Sequence, residues 1–523
     1  MILKTCSALN RIFTEADIIK TTKGCILKNQ SFAFQVVVKS TTNAKVPVKV
    51  ESGLEAKVYI VKKHIGGTEK LRQDDYYVNA PDNMYPEILE EVAEISLTEN
   101  ELTTLFVEIP ASDKVQGEYK ITVSVGEEKV DFTLTVKGAE LVKSDLILTN
   151  WFHNDGICNY FNVQPFTKEF YKYFKYYVDA YVKMGNNTIL LPIFTPPLDT
   201  AVGNERLTTQ LVGVKKQGFK YLFDFTKVKE FIDICKDAGV EKFEIAHLFT
   251  QWGGKACPKI MVEKNGELVN DFGWKVKSTS FKYKRFLKVF LKEFAIFLKQ
   301  ENIFDKSYMH LTDEPTQPHI KRYVKLGKFV KKHNGGIPTL DALSHYAFFK
   351  KKGVDIPVVA IDAVDLKLFD DVKFKMLYYC VGMGTNYLTN RYFTMPLERT
   401  AILGMQLYER GVQGFLHWGF NFYNTQYSLK AINPYEVTDA GGKFLSGDSF
   451  VVYPKEDGVN YSIRYFALMR GFEDYRLLKT VEGKYSREKV LEILHSYGLQ
   501  GLNDYPRSVE KYEELRDKIY SLL

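Results

Sequence analysis

The sequence predicts an α/β protein: a (β/α)8 barrel with a β-sandwich before it and a small α/β cap after it. Three observations predict this. From Ser31 to about Gly138 apolar and polar positions alternate with period two, residues 141–433 alternate helical stripes with short apolar strands, and residues 434–523 change rhythm again. At 523 residues the chain exceeds one ordinary core, although such a barrel absorbs 250 or more residues by itself.

In the first region Val130, Phe132, Leu134 and Val136 alternate with Asp131, Thr133, Thr135 and Lys137, the mark of a half-buried strand. Phe32–Lys39, Val46–Val50, Lys57–Val61, Thr104–Ile109 and Tyr119–Val125 repeat the pattern between Gly, Pro and polar turns, the rhythm of a β-sandwich. No catalytic residue types cluster here, so an accessory domain is expected over 1–140.

The helical stripes of the second region are Phe170, Phe174, Tyr177 and Tyr181; Phe231 to Cys235; and Tyr283, Phe286, Phe290, Phe294 and Phe297. Gly185 and Gly239 close the first two. Candidate strands at Ile147–Phe152, Thr188–Phe194, Phe243–Leu248, Ser307–Thr312, Ile337–Asp341, Val358–Ile361, Lys375–Cys380 and Gly414–Trp418 make the eight that close a barrel, with weak helical signal between Asp341 and Val358. In the third region Gly447–Pro454 reads as a hairpin strand. Tyr461, Tyr465, Leu468, Phe472 and Tyr475 read as a helix whose charged residues, Arg464 among them, are solvated or salt-bridged. A cap without chemistry of its own is expected there.

Net charge is +7, with lysines scattered through helices rather than gathered in a run, which gives no support to nucleic-acid binding. The six cysteines (Cys6, Cys25, Cys158, Cys235, Cys257, Cys380) form no C-x-x-C pair and no zinc-ligand spacing, so free thiols in a reducing compartment are expected. With neither a secretory run after Met1 nor an apolar stretch of membrane-spanning length, the reading is a cytoplasmic protein without membrane partners. No phosphate-binding loop, H-E-x-x-H or complete dinucleotide fingerprint occurs (Gly382-Met383-Gly384 is a fragment), and neither cofactor nor metal is implied.

The stretch Tyr308–Pro315 delivers the adjacent carboxyls Asp313 and Glu314 from a strand that stops at a proline. Carboxyls this close in a cleft do not both ionise freely, so one keeps its proton near neutral pH and can act as an acid, which glycosidic cleavage requires. The plainer alternative is that Asp313 caps a helix opened by Pro315. The active face of a barrel lies at the C-terminal strand ends, and reading past each strand collects Trp151 and His153; Asp199; His247, Gln251 and Trp252; Asp313 and Glu314; Asp341 and His345; Asp362; Tyr379; and Trp418 with Asn421. Each Trp or His alone is as readily a core residue; their shared position makes a binding rim.

Leu311–Pro315, the loop Phe194–Thr200, the segment His247–Gly253 and the run Gly414–Asn421 together resemble bacterial proteins carrying the domain of unknown function 4091, as do Gly447–Pro454 and Ser462–Leu478. These are similar to glycoside hydrolase family 123, exo-acting β-N-acetylgalactosaminidases with a β-sandwich, a (β/α)8 barrel and an adjacent Asp-Glu pair. The resemblance implies that Glu314 is the general acid/base and that Asp313 orients the substrate's 2-acetamido group, whose carbonyl oxygen attacks C1. Adjacent residues do not place one carboxylate on each face of an anomeric carbon, which agrees with that division. Trp418 is the first choice for stacking on the sugar; Trp252, His247, Tyr379, Asn421, Asp199, Asp341 and Trp151 complete the candidate binding set. Two alternatives stay open: a glycosidase of other specificity with Asp341 or Asp362 as nucleophile, and a non-catalytic carbohydrate-binding protein.

Overall fold

A computed structural model describes residues 1–67, 74–379 and 384–523. Cys380 and the Gly382-Met383 fragment lie outside the described residues.

Eight parallel strands close into a barrel: β1 (Ile147–Asn150), β2 (Thr188–Leu191), β3 (Lys242–Ile245), β4 (Ser307–His310), β5 (Thr339–Leu343), β6 (Ile356–Ala360), β7 (Met376–Tyr379) and β8 (Gly414–His417). The closing pair is β8 with β1, in register from Ile147↔Gly414 to Asn150↔His417. Every strand predicted from sequence is present. The stripes form helices Lys168–Lys183, Thr226–Asp237 and Phe281–Gln300, whose aromatic faces are buried against the barrel. Thr167 and Ser280 cap the first and last of these through the backbone N–H of Phe170 and Tyr283. Where the helical signal was weak, between Asp341 and Val358, the helix is indeed short, Ala347–Lys350 after β5; beyond that range a single 3-10 turn, Leu366–Phe369, follows β6.

Ahead of the barrel, two sheets pack around a core that includes Phe34, Val36, Val107, Ile121 and Phe132. The five-stranded sheet runs Lys23–Leu27, Glu128–Lys137, Gly117–Val125, Ala44–Glu51, Glu94–Leu97. The seven-stranded sheet runs Ile2–Ser7, Phe32–Lys39, Leu102–Ile109, Lys57–Ile65, Met84–Glu91, Gly458–Ser462, Val452–Lys455. Its last two strands come from beyond the barrel, with Tyr461↔Leu89 and Ser462↔Ile88 in register. Tyr461 thus belongs to a strand rather than to the helix, which starts at Ile463 behind the Ser462 cap.

Arg464, at the start of that helix, is fully buried and pairs with Glu87 of the sandwich (Nη2–Oε1 2.6 Å). Its guanidinium also donates to the carbonyls of Gly447 and Phe450, holding the loop that carries Asp448. A side chain at Gly447 (φ +85°) would stand 2.7 Å from that guanidinium, so both the turn and the space require glycine. The sequence expectation of a salt-bridged charge is met here in the interior rather than at the surface.

Candidate active site

Strand β4 ends at His310, and Leu311 and Thr312, both buried, carry the chain to the half-buried Asp313 and Glu314. Glu314 takes the left-handed backbone region (φ 42°), which turns the chain away from a helical path. Helical structure resumes only at Gln317, under the Thr316 cap, so Asp313 caps no helix and that plainer reading is corrected. The pair is pinned from three sides. Thr312 donates through its N–H and its hydroxyl to Asp341 Oδ2, each at 2.9 Å. Trp252 N–H donates to the Asp313 carbonyl at 2.7 Å, and the Tyr378 hydroxyl donates to Glu314 Oε1 at 3.0 Å.

The pair opens into a cavity of about 270 Å³. Trp151, Trp252 and Trp418 line it with Tyr378, Tyr379, Tyr427 and Phe444, and Asp199 and Gln251 add polar groups. An aromatic wall with few polar groups suits a sugar ring, which has one apolar face and a hydroxylated rim. Trp418 is held by its indole N–H, which donates to Asp448 Oδ1 at 3.2 Å, and by edge-to-face packing on Phe422 and Phe444.

Burial and the neighbouring Glu314 charge hold the Asp313 carboxyl well above the usual carboxylate range; the His310 charge opposes them, and Asp341 and Asp199 add to them. Burial likewise lifts Asp199 to about 6, against the Tyr427 N–H that its carboxylate accepts at 2.8 Å. Beneath the pair lies a polar layer inside the barrel. His310 Nδ1 is 2.7 Å from Glu244 Oε1 and its Nε2 is 3.4 Å from Asp341 Oδ1, all three side chains being wholly buried. Burial lowers the His310 pKa, but its bonds to Asp341 and Glu244 outweigh this and raise it to about 9. His247, stacked on His310 at 3.9 Å, is held far below its ordinary value by burial and by that charge.

Of the residues predicted for the site, the cavity brings together Asp313, Glu314, Trp151, Trp252, Trp418, Tyr379 and Asp199. Tyr379 contributes its ring, while its hydroxyl is engaged with Thr389. Asp341 and His247 lie under the floor. Asn421 is spent on the His153 backbone, accepting its N–H at 2.8 Å and donating to its carbonyl at 3.1 Å. Sequence reasoning missed Tyr378, Tyr427, Phe444, Asp448 and His310. Tyr378 and His310 were within reach, one beside Tyr379 and the other inside the organising stretch. Tyr427, Phe444 and Asp448 follow the last strand, where no periodicity points to the barrel mouth.

A closed eight-stranded barrel with paired carboxyls and an aromatic wall at its C-terminal mouth suits glycoside hydrolysis. The model of the glycoside hydrolase 123 catalytic domain matches residues 151–481, and the chain belongs to that family. Among solved structures it is similar to a family 123 glycoside hydrolase from Clostridium perfringens, studied for glycolipid glycan hydrolysis. That likeness has TM-score 0.72 at 15% identity and covers 100% of this chain and 97% of the other. A crystal structure of a β-galactosidase-like protein from Bacteroides fragilis aligns over 88% of this chain and 60% of its own at 12% identity, with TM-score 0.34, too distant to carry an argument. No curated protein matches. No helix among the described residues is long and apolar enough to cross a membrane.

Proposed function

We propose that the protein is an exo-acting, retaining β-N-acetylgalactosaminidase in which the substrate's own acetamido group is the nucleophile. The observation that carries this reading is the placement of Asp313 and Glu314 side by side on one strand end, where they address one edge of a sugar rather than its two faces. The high proton affinity of Asp313 supports it, since that carboxyl then brings a proton to the pair at neutral pH. An acetamido N–H donated to Asp313 favours its ionised form and leaves the proton on Glu314. The acetamido carbonyl oxygen attacks C1 as the C1–O bond breaks, and Glu314 protonates the leaving oxygen. Water then opens the oxazolinium ring at C1 and returns a proton to Glu314, with the anomeric configuration retained.

Trp418 stacks on the ring, and Asp199 and Gln251 face its hydroxyls. A mechanism with Asp341 or Asp362 as nucleophile has less support, because Asp341 is wholly buried and committed to Thr312, and Asp362 does not line the cavity. The free thiols Cys6, Cys25, Cys158, Cys235 and Cys257 support work in a reducing compartment such as the cytoplasm.

The test is hydrolysis of aryl β-glycosides of N-acetylgalactosamine, N-acetylglucosamine, galactose and glucose at neutral pH, with Glu314→Gln and Asp313→Asn beside the wild type. Cleavage of the first sugar, lost in Glu314→Gln, is expected. Cleavage of galactosides with equal vigour, or full activity in Glu314→Gln, overturns the reading.

A further inference from the structure

We infer that His310 is a positioning residue for the carboxyl pair: clamped between Glu244 and Asp341, its imidazolium is the fixed positive charge that lets one member of the Asp313–Glu314 pair ionise. The inference rests on the catalytic reading of that pair and adds a residue which neither the family match nor the structural likeness assigns.

The argument begins with the valences of the floor. Glu244 Oε1 accepts from Trp151 Nε1 at 2.9 Å, and Oε2 accepts from the Thr149 hydroxyl at 2.7 Å. Asp341 Oδ2 is filled by the two Thr312 donors. Both carboxylates also face one ring, Nδ1 at 2.7 Å from Glu244 and Nε2 at 3.4 Å from Asp341, which the buried Tyr323 hydroxyl approaches as well. A neutral imidazole carries one N–H and leaves one of its nitrogens facing a carboxylate lone pair to lone pair, whereas an imidazolium turns an N–H to each, as a hydrogen bond to Glu244 and an ion pair to Asp341. His247 does not compete for the proton, because burial and the adjacent charge keep it neutral.

The location gives the charge its use. Of the charged groups acting on Asp313, Glu314, Asp341 and Asp199 are carboxyls and His310 is the cation. Without it, Glu244 and Asp341 would stand beneath the pair as uncompensated negative charges, and Asp313 would hold its proton more tightly still. Asp313 would then meet an acetamido N–H as a neutral carboxyl, a weaker acceptor than a carboxylate. The geometry also ties charge to position. The same Asp341 that closes the ion pair on His310 holds the Thr312 peptide, the last link before Asp313.

Two variants and one spectrum test this. In His310→Gln, both limbs of the kcat/KM profile on the aryl β-N-acetylgalactosaminide are expected to move to higher pH by about one unit, a tenfold change in proton affinity. Asp341→Asn keeps the imidazolium through Glu244 but removes a negative charge, so its limbs are expected to move to lower pH. A merely structural role lowers the amplitude in both variants without displacing the limbs, and that outcome overturns the inference. In the wild-type chain, 15N NMR of labelled histidine is expected to show one imidazolium with both nitrogens protonated at pH 8, absent from His310→Gln. A neutral His310 at pH 7 overturns the inference whatever the kinetics show. The spectrum also decides it should His310→Gln fail to fold or should the protein cleave another substrate.

Discussion

The floor and the rim of the cavity grow from the same strand ends, yet they are built in opposite ways. On the floor, Glu244, His310 and Asp341 show no exposure, and hydrogen bonds and ion pairs tie them to one another, to Thr149, to Thr312 and to Trp151. On the rim, Asp199, Trp252, Glu314 and Tyr427 all hold left-handed backbones, with φ of 37°, 56°, 42° and 62°. Each such residue costs on the order of 1–2 kcal/mol when it is not glycine. Hydrogen bonds between loops hold it: Tyr427 N–H to Asp199, Ala201 N–H to the Tyr427 carbonyl at 3.1 Å, Trp252 N–H to the Asp313 carbonyl. The difference teaches that this site separates two tasks. The floor sets charge, and the strained rim sets shape.

Substitutions can break that division or sharpen it. The largest effect is expected at the pair itself, where Glu314→Gln should reduce kcat by about 10²–10⁴-fold with little change in binding, measured by turnover and by calorimetry with the product sugar. Next comes the wall: Trp418→Ala removes a stacking face of roughly 2 kcal/mol and should raise KM about thirtyfold with a smaller loss in kcat. Tyr378→Phe removes one hydrogen bond to Glu314, worth about 1 kcal/mol, and should lower kcat severalfold while shifting the pH profile. Trp252→Gly relieves a left-handed backbone and removes a rim ring that is 37% exposed. KM should rise a few-fold while the melting temperature holds or increases; a marked fall in melting temperature would show that this ring supports the fold rather than the rim.

A further effect concerns stability rather than turnover. Burial, opposed by Arg391 and by the Trp418 N–H, lifts Asp448 from its ordinary value to about 7. A carboxyl with a raised folded-state pKa contributes stability that is complete below its unfolded value near 4 and is lost as pH rises through about 7. Asp448→Asn should therefore flatten the decline in melting temperature between pH 5 and pH 8 while keeping an acceptor for Trp418.

Much of this molecule was legible in its sequence because hydrophobic period reports which face of an element is buried. The eight barrel strands, the three aromatic helices and six of the sandwich strands follow from that signal, while Ile2–Ser7, Lys23–Leu27, Met84–Glu91 and Glu94–Leu97 were not read from it; barrel topology then carried Asp313, Glu314, Trp151, Trp252, Trp418, Asp199 and Tyr379 to one cavity. What stayed hidden depends on side-chain direction or on contacts across the chain. Tyr378 and Tyr379 are neighbours, and only the orientation of each ring shows that the first holds Glu314 and the second spends its hydroxyl on Thr389. Asp341 has a residue type and position that suit sugar binding, but its oxygens turn down to Thr312 and His310. Asp448 reaches Trp418 from a loop that Arg391 and Arg464, the latter paired with Glu87, hold in place, a link that joins distant parts of the sequence.

The seven-stranded sheet imposes an order on biosynthesis. Met84–Glu91 leaves the ribosome early, but its neighbour Gly458–Ser462 follows only after every strand of the barrel. Until then one edge of the nascent sheet is unpaired, and Glu87 awaits the guanidinium that will share its interior site. The barrel can close while the sandwich is still unfinished. That pairing joins segments far apart in the chain, the slowest kind of contact to form, and it ties the sheet, the buried ion pair and the loop behind Trp418 together.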